Sequence, residues 1–357
     1  MGYYILIFVL MMSGCGMNNH TPNQMRFFHF SYEVSIDPTF GKKLELWIPV
    51  PRSNEVQTIS NLKIQSDGLP FEMKDDTTHG NKYVHFREDS GTIASKTITM
   101  TFDVSRKEHG KVSYKNVDPH LYLEAYSTVP VGNIFSSIIR ENQLSKNDVR
   151  GIYNFVLSGM HYAKPKTVND VYFREPWLTS NGVYGQKGMK RDDVVALYQK
   201  AEREKSNYTF GKGNSVYACD VGVGNCTDYH SYFMSLGRTL GIPVRFHMGF
   251  PIPQNSEGDI KGYHCWADFY VAGQGWTPVD ISEADKDSTK SDYYFGTVDH
   301  NRVEMMVGRD FVLEGYEDKF VNFFIYPLVE VDDKKSTAFT KVFSYKSYDK
   351  KKNRNYN

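Results

Sequence analysis

The chain has 357 residues, and Lys+Arg and Asp+Glu both number 42, for a formal net charge of zero. Such a balance argues against nucleic acid or any other polyanionic partner. Hydrophobic residues make up 40% and aromatics 15%, enough for a sizeable core, so wholesale disorder is excluded too.

Residues 3–12, YYILIFVLMM, are continuously apolar but too short to span a bilayer as a helix. They read as the hydrophobic region of a signal peptide covering 1–14. The run Met12-Ser13-Gly14-Cys15 resembles a bacterial lipobox, which implies lipidation of Cys15. The expected location is therefore extracytoplasmic, on a cell or outer membrane and facing the periplasm or exterior. Residues 15–25 then form a polar tether with a reach of at most ~35 Å.

Residues 26–129 alternate as strands do, in FFHFSYEVSI, KKLELWIPV, QTISNLKIQ, KYVHFRE and KTITMTFDVS. Turn chemistry separates them at Asp37-Pro38, Pro51 to Asn54, Ser66-Asp67-Gly68 and Ser90-Gly91. Short strands at this spacing predict an all-β, sandwich-like domain. It lacks a cluster of His, Cys and carboxylates and reads as a packing or targeting module.

Near Val129-Pro130 the pattern changes, opening a second unit over 130–345. Val149, Ile152, Tyr153, Val156 and Met160 mark one helix, and Val194, Leu197, Tyr198 and Ala201 a second. Between them, Lys164 to Lys190 is long enough to be a lid or binding loop. The stretch from Ser206 to Gly224 reads as loop. Two or three strands are expected within Phe311 to Tyr345, with a turn at Asp332-Asp333. The last residues, 346–357, form a basic tail.

The second unit is organised around GVGNCTDYHSYFMSLGRTLGIPVR, residues 222–245. Tyr229, Tyr232, Phe233, Leu236 and Leu240 share a helical face, Asn225 is a plausible N-cap, and Gly241 and Pro243 end the helix. Cys226 thus falls in the first turn, where the helix dipole and unpaired N–H groups favour thiolate, the nucleophilic form. Val244, Phe246, Met248 and Phe250 then share a strand face. In YHCWADFYV, His264, Trp266, Asp268 and Tyr270 face one way, and Tyr263, Cys265, Ala267, Phe269 and Val271 the other. The turn AGQG leads to a hairpin partner, WTPVD, whose Pro278 implies an edge or a bulge.

A thiol nucleophile needs a base, and the base needs an orienting acid. His264 is the candidate base. Asp268 lies ~13 Å along the same strand, too far for a hydrogen bond, and Asp228 points to another side of the helix. Asp280, ending the paired strand, is the candidate acid, with Glu283 as fallback. His230 reads as structural or cleft-lining, and Trp266 and Trp276 as core or cleft wall. Cys219 and Cys265 are open to a disulfide, free thiols or metal ligation. A zinc module built on Cys219, Cys226, His230, His264 and Cys265 is disfavoured, because the usual paired-ligand spacings are missing and adjacent His264 and Cys265 should point to opposite faces. No cofactor or metal is expected.

The segments GNCTDYHSYFMSLGRTLGIPVRF and GYHCWADFYVAGQGWTPVDISEA together resemble the core of the transglutaminase-like superfamily. The resemblance covers about residues 215–285 and implies an α+β, papain-like fold in which the nucleophile helix packs on an antiparallel sheet, here preceded by the sandwich. It assigns Cys226 as nucleophile, His264 as base and Asp280 as orienter, and Asp268 stands where the family often has glutamate. The implied chemistry is thiolate attack on an amide, a thioester acyl-enzyme, and transfer to water or an amine, with hydrolysis favoured. The Cys226 N–H is the candidate oxyanion donor. The expected substrate is a protein or peptide, cell-wall peptides among the candidates. The alternatives are a protein-glutamine transamidase and a catalytically silent binding or scaffold module of the envelope.

Overall fold

Alternation along Met25–Ile36 (β1) puts Phe28, Phe30, Tyr32, Val34 and Ile36 on one buried face. The computed structural model describes residues 25–164 and 185–349. Strands Gln57–Gln65 (β3), Lys96–Lys107 (β6), Glu257–Asp259 (β10) and Phe339–Ser347 (β16) join β1 in an antiparallel sheet of order β10-β16-β1-β6-β3. A second antiparallel sheet contains Leu44–Val50 (β2), Phe71–Asp75 (β4), Lys82–Glu88 (β5), Leu328–Val331 (β14) and Lys334–Lys335 (β15), in the order β15-β14-β2-β5-β4. The N-terminal region is all-β, as its alternation requires. Sequence reading misses β4, FEMKD, because the strand is short and mostly exposed, so no apolar face marks it.

The C-terminal strands depart from expectation. They were placed with the second unit, yet β16 pairs with β1 from Phe28↔Ser347 to Ile36↔Phe339, and β14 pairs with β2. Asp332 and Asp333, both at positive φ, make the expected turn between β14 and β15. The second unit therefore gives its last strands to the first, covering strands that would otherwise be open edges.

A smaller antiparallel sheet contains Val244–Pro251 (β9), His264–Val271 (β11), Gly275–Val279 (β12) and Arg302–Val307 (β13), in the order β12-β11-β9-β13. Pro278 lies on an edge strand, where its missing N–H costs no ladder bond. Helix Cys226–Thr239 packs on this sheet, with Phe233 against Phe269. The helix was expected to show one apolar face, but every residue from Cys226 to Arg238 is buried. Helices Ile134–Glu141, Val149–Gly159 and Ser215–Val221 cover its other sides. The first and third of these were not anticipated; they are too short to build a clear period, and the third lies in the stretch read as loop. Helix Arg191–Glu204 contains the second expected one.

Gly249 allows the small sheet to close. It lies opposite His264 on one side and Glu304 on the other, and a Cβ there would come within 1.8 Å of the Val303 carbonyl. A single hydrophobic cluster runs from the β1 face through Phe250 to Phe233 and Leu236 of the central helix. The signal segment 1–14, Cys15, most of the tether, most of the Lys164 to Lys190 loop and the end of the basic tail lie outside the described residues. Among the described residues, no helix is long and apolar enough to cross a membrane.

Candidate active site

The helix that carries Cys226 begins with a reciprocal cap. Asn225 accepts the Thr227 N–H at 3.0 Å, and Asp228 Oδ2 accepts the Asn225 N–H at 3.0 Å. Asp228 also takes the N–H groups of Gly211 and Gly213, at 2.7 and 2.9 Å. Burial pushes its carboxyl up to about 7, against the pull of those three donors. Asp228 thus ties the preceding loop to the first turn. Gly224 leaves room for this, since a Cβ there would meet Asp228 Cβ at 2.6 Å. The Cys226 thiol is left at the positive end of the helix, 2% exposed.

His264 opens β11, and Asp280 follows β12 as the N-cap of helix Ile281–Lys286. The strand pairing brings them together, with His264 Nε2 at 2.7 Å from Asp280 Oδ2. The Cys226 thiol lies within interaction range of both His264 and Cys265. Asp280 is saturated with donors. Oδ1 accepts the Ser282 hydroxyl at 2.9 Å and the Glu283 N–H at 3.1 Å, and Oδ2 also accepts Arg302 Nη1 at 2.9 Å. Glu283, the fallback acid, stays 3.8 Å from His264 Nε2 and bonds Lys286 at 2.6 Å. The Lys286 ammonium rests 4.1 Å from the centre of the Tyr162 ring.

The charges favour an ion pair. The Cys226 thiol is held well below its ordinary value, first by the hydrogen bond with Cys265 and, against burial, by the hydrogen bond and charge of His264. Burial opposes protonation of His264, but the charge and hydrogen bond of Asp280 outweigh it and push the imidazole up to about 10. Asp280 is held far below the usual carboxylate range; burial opposes this, while His264 and Arg302 enforce it. Both shifts act in the direction of thiolate beside imidazolium.

His230 lies between the helix and the Asp280 turn. Its Nδ1 is 2.6 Å from the Cys226 carbonyl and donates to it, while Nε2 accepts the Ile281 N–H at 3.1 Å. Burial pushes its pKa down, so the ring is neutral and bridges two backbones. Two neighbours were missed in sequence. Cys265 was expected to face away from the site, but the helix packs on that strand and the Cys265 thiol interacts with that of Cys226. Arg302 could have been flagged as a lone arginine in the otherwise apolar and acidic run RVEMMV.

Asp268 faces away from the thiol. Arg245 grips it through Nε at 3.0 Å and Nη2 at 2.6 Å, and His247 Nε2 lies 3.2 Å away. Cys219 is a separate buried thiol, and burial pushes it up to about 11. Among the described residues, Glu45, Glu330 and Asp333 each bring a ligand atom within 4.8 Å of the others. The Lys43 ammonium already ion-pairs with Glu45 at 2.8 Å and with Asp333, so that cluster holds a cation of its own.

Residues 178–281 match the family model described as transglutaminase-like superfamily. The chain is 24% identical over 394 residues to an uncharacterized protein of Haemophilus influenzae, covering 97% of this chain and 99% of that protein. Among solved structures it is similar to a candidate cysteine protease from Cytophaga hutchinsonii, with 13% identity, a TM-score of 0.49, and coverage of 90% of this chain and 98% of the other. It is also similar to the periplasmic domain of TgpA from Pseudomonas aeruginosa bound to ethylmercury, with 12% identity, a TM-score of 0.27, and coverage of 73% and 92%.

Proposed function

Starting from residues 178–281 as a transglutaminase-like superfamily domain, we propose that the protein is an extracytoplasmic thiol enzyme that cleaves amide bonds of proteins or peptides. One observation carries this reading. A single imidazole is bound through one nitrogen to a buried carboxylate and lies within interaction range of a thiol at a helix N-terminus. This is the arrangement required of a nucleophile, its acid–base partner and the group that orients that partner.

In the proposed mechanism the Cys226 thiolate attacks the carbonyl carbon of the substrate amide. The oxygen becomes an oxyanion, with the Cys226 N–H at the helix N-terminus placed to receive it. His264 then gives its proton to the departing amine, and the C–N bond breaks to leave a thioester on Cys226. Now neutral, His264 takes a proton from water, the resulting hydroxide attacks the thioester carbonyl, and the C–S bond breaks to release the acid and restore the thiolate beside the imidazolium. Asp280 holds the ring and stabilises its charge throughout without taking the proton itself. Hydrolysis is favoured over transfer to an amine because water is the abundant acceptor. The signal-like residues 1–14 and Cys15 support export and lipid anchoring.

The test is intact-mass detection of acyl adducts on the full chain and on Cys226→Ala, with and without a primary amine. Adducts confined to the wild type support the reading. Equal adducts without the thiol overturn it, and amine incorporated into product reassigns the acceptor.

A further inference from the structure

The acid of the proposed triad is itself held, and the residue that holds it comes from outside the motif segments. Arg302 on β13 is 3% exposed; its Nη1 donates to the same Asp280 oxygen that receives His264, and its Nη2 donates to Asp299 at 3.0 Å. Its guanidinium lies 5.0 Å from the centre of the Trp266 ring, over which Arg106 of β6 also lies, at 5.4 Å. The strand that carries Arg302 is fixed to the N-terminal sheets two residues later. Gln57 accepts the Glu304 N–H at 2.9 Å and donates to the Glu304 carbonyl at 2.8 Å, while Asn54 donates to the Glu304 carboxylate at 2.8 Å.

We propose that Arg302 is a positioning residue that acts through Asp280, setting how firmly His264 holds its proton, and that the N-terminal β region serves catalysis by fixing β13 in register. This rests on the reading of Cys226, His264 and Asp280 as the reacting set. A cation sharing Asp280 Oδ2 withdraws part of the charge that would otherwise stabilise the imidazolium, and it repels that imidazolium directly. The groups facing this pair are Cys226, Glu283 and, through Glu283, Lys286 on the His264 side; on the Asp280 side they are Arg302, Asp299 and His230, whose Nε2 is 3.9 Å from Oδ1. Asp280 keeps its place without Arg302, because the Ser282 hydroxyl and Glu283 N–H hold its other oxygen.

The test is a 15N-histidine NMR titration of the full chain carrying Cys226→Ala, which reads His264 without the thiol. Arg302→Gln should raise the His264 midpoint by about one pH unit, and Arg302→Lys, which keeps the charge, should leave it within a few tenths. Asp299→Asn, which leaves more of the Arg302 charge on Asp280, should lower the midpoint, and it keeps the proposal testable if Arg302→Gln does not fold. Superimposable titrations, or a Lys variant displaced as far as the Gln variant, overturn the proposal. Loss of the function reading would show separately, as a wild-type Cys226 that iodoacetamide alkylates no faster than a free thiol.

Discussion

Two buried histidines on one small sheet illustrate what separates the proposed active site from a charged core. His264 gives one nitrogen to Asp280 and lies within interaction range of the Cys226 thiol. On β9, His247 hydrogen-bonds Glu304 through Nδ1 at 2.8 Å, and its Nε2 lies 3.2 Å from Asp268. Each carboxylate pair also has an arginine, Arg302 on Asp280 and Arg245 on Asp268. His247 is raised too, since Asp268 and Glu304 outweigh its burial. The second cluster even borders a cavity of about 460 Å³ lined by Arg245 and Glu304. A proton on His247 is nonetheless locked between two anions, whereas a proton on His264 sits beside a nucleophile. Ring occupancy, and neither burial nor charge, distinguishes them.

The comparison breaks most sharply at the sulfur. Cys226→Ala should abolish acyl-adduct formation entirely, as read by intact mass. Asp280→Asn should slow thiol acylation by about a hundredfold or more with the fold retained, because the imidazolium loses its counter-charge. Asp268→Asn should do the reverse: it breaks a buried pair and should cost about 3–5 kcal/mol in denaturant unfolding while leaving Cys226 alkylation at its original rate. If Asp268→Asn silenced the thiol and Asp280→Asn spared it, the two clusters would have exchanged roles.

Smaller effects sharpen the contrast. Cys226 is lowered and His264 raised to about 10, so reactivity should climb on an acid limb well below the ordinary thiol range and fall as pH passes about 10, where the imidazolium loses its proton. A pH–rate profile with a single rise in the ordinary thiol range would show that no ion pair forms. His230→Gln, which leaves the Cys226 carbonyl or the Ile281 N–H poorly matched, should cost about 1–3 kcal/mol of stability and shift neither limb. Urea titration beside the pH–rate profile checks both halves.

The residues of the proposed reacting set could be singled out in sequence because each carries a local signal. Asn225 before Cys226 marks a capped helix start, His264 begins an alternating strand, and Asp280 ends a hairpin joined by the turn AGQG, whose register the sequence left open between Asp280 and Glu283. Arg302 and the thiol contact of Cys265 were not legible in the same way. Arg302 reaches Asp280 only through a sheet order in which β13 pairs with β9, and no short-range pattern encodes that order. Cys265 was misjudged because strand alternation gives the face of a side chain but not what covers that face. The helices Ile134–Glu141 and Ser215–Val221 were missed for want of length, and β14 and β16 were assigned by nearness in sequence when they pair with β2 and β1 near the other end of the chain.

That last pairing governs how the molecule is made. β1 has β6 on one side early in synthesis, but its other edge stays bare until residues 339–347 leave the ribosome. Pairings this distant are slow to find, so the sheet is completed late and the nascent chain carries an open strand for most of its length. A fragment cut after the nucleophile, base and acid would keep every reacting group and still leave β1 exposed, ready to pair with another copy.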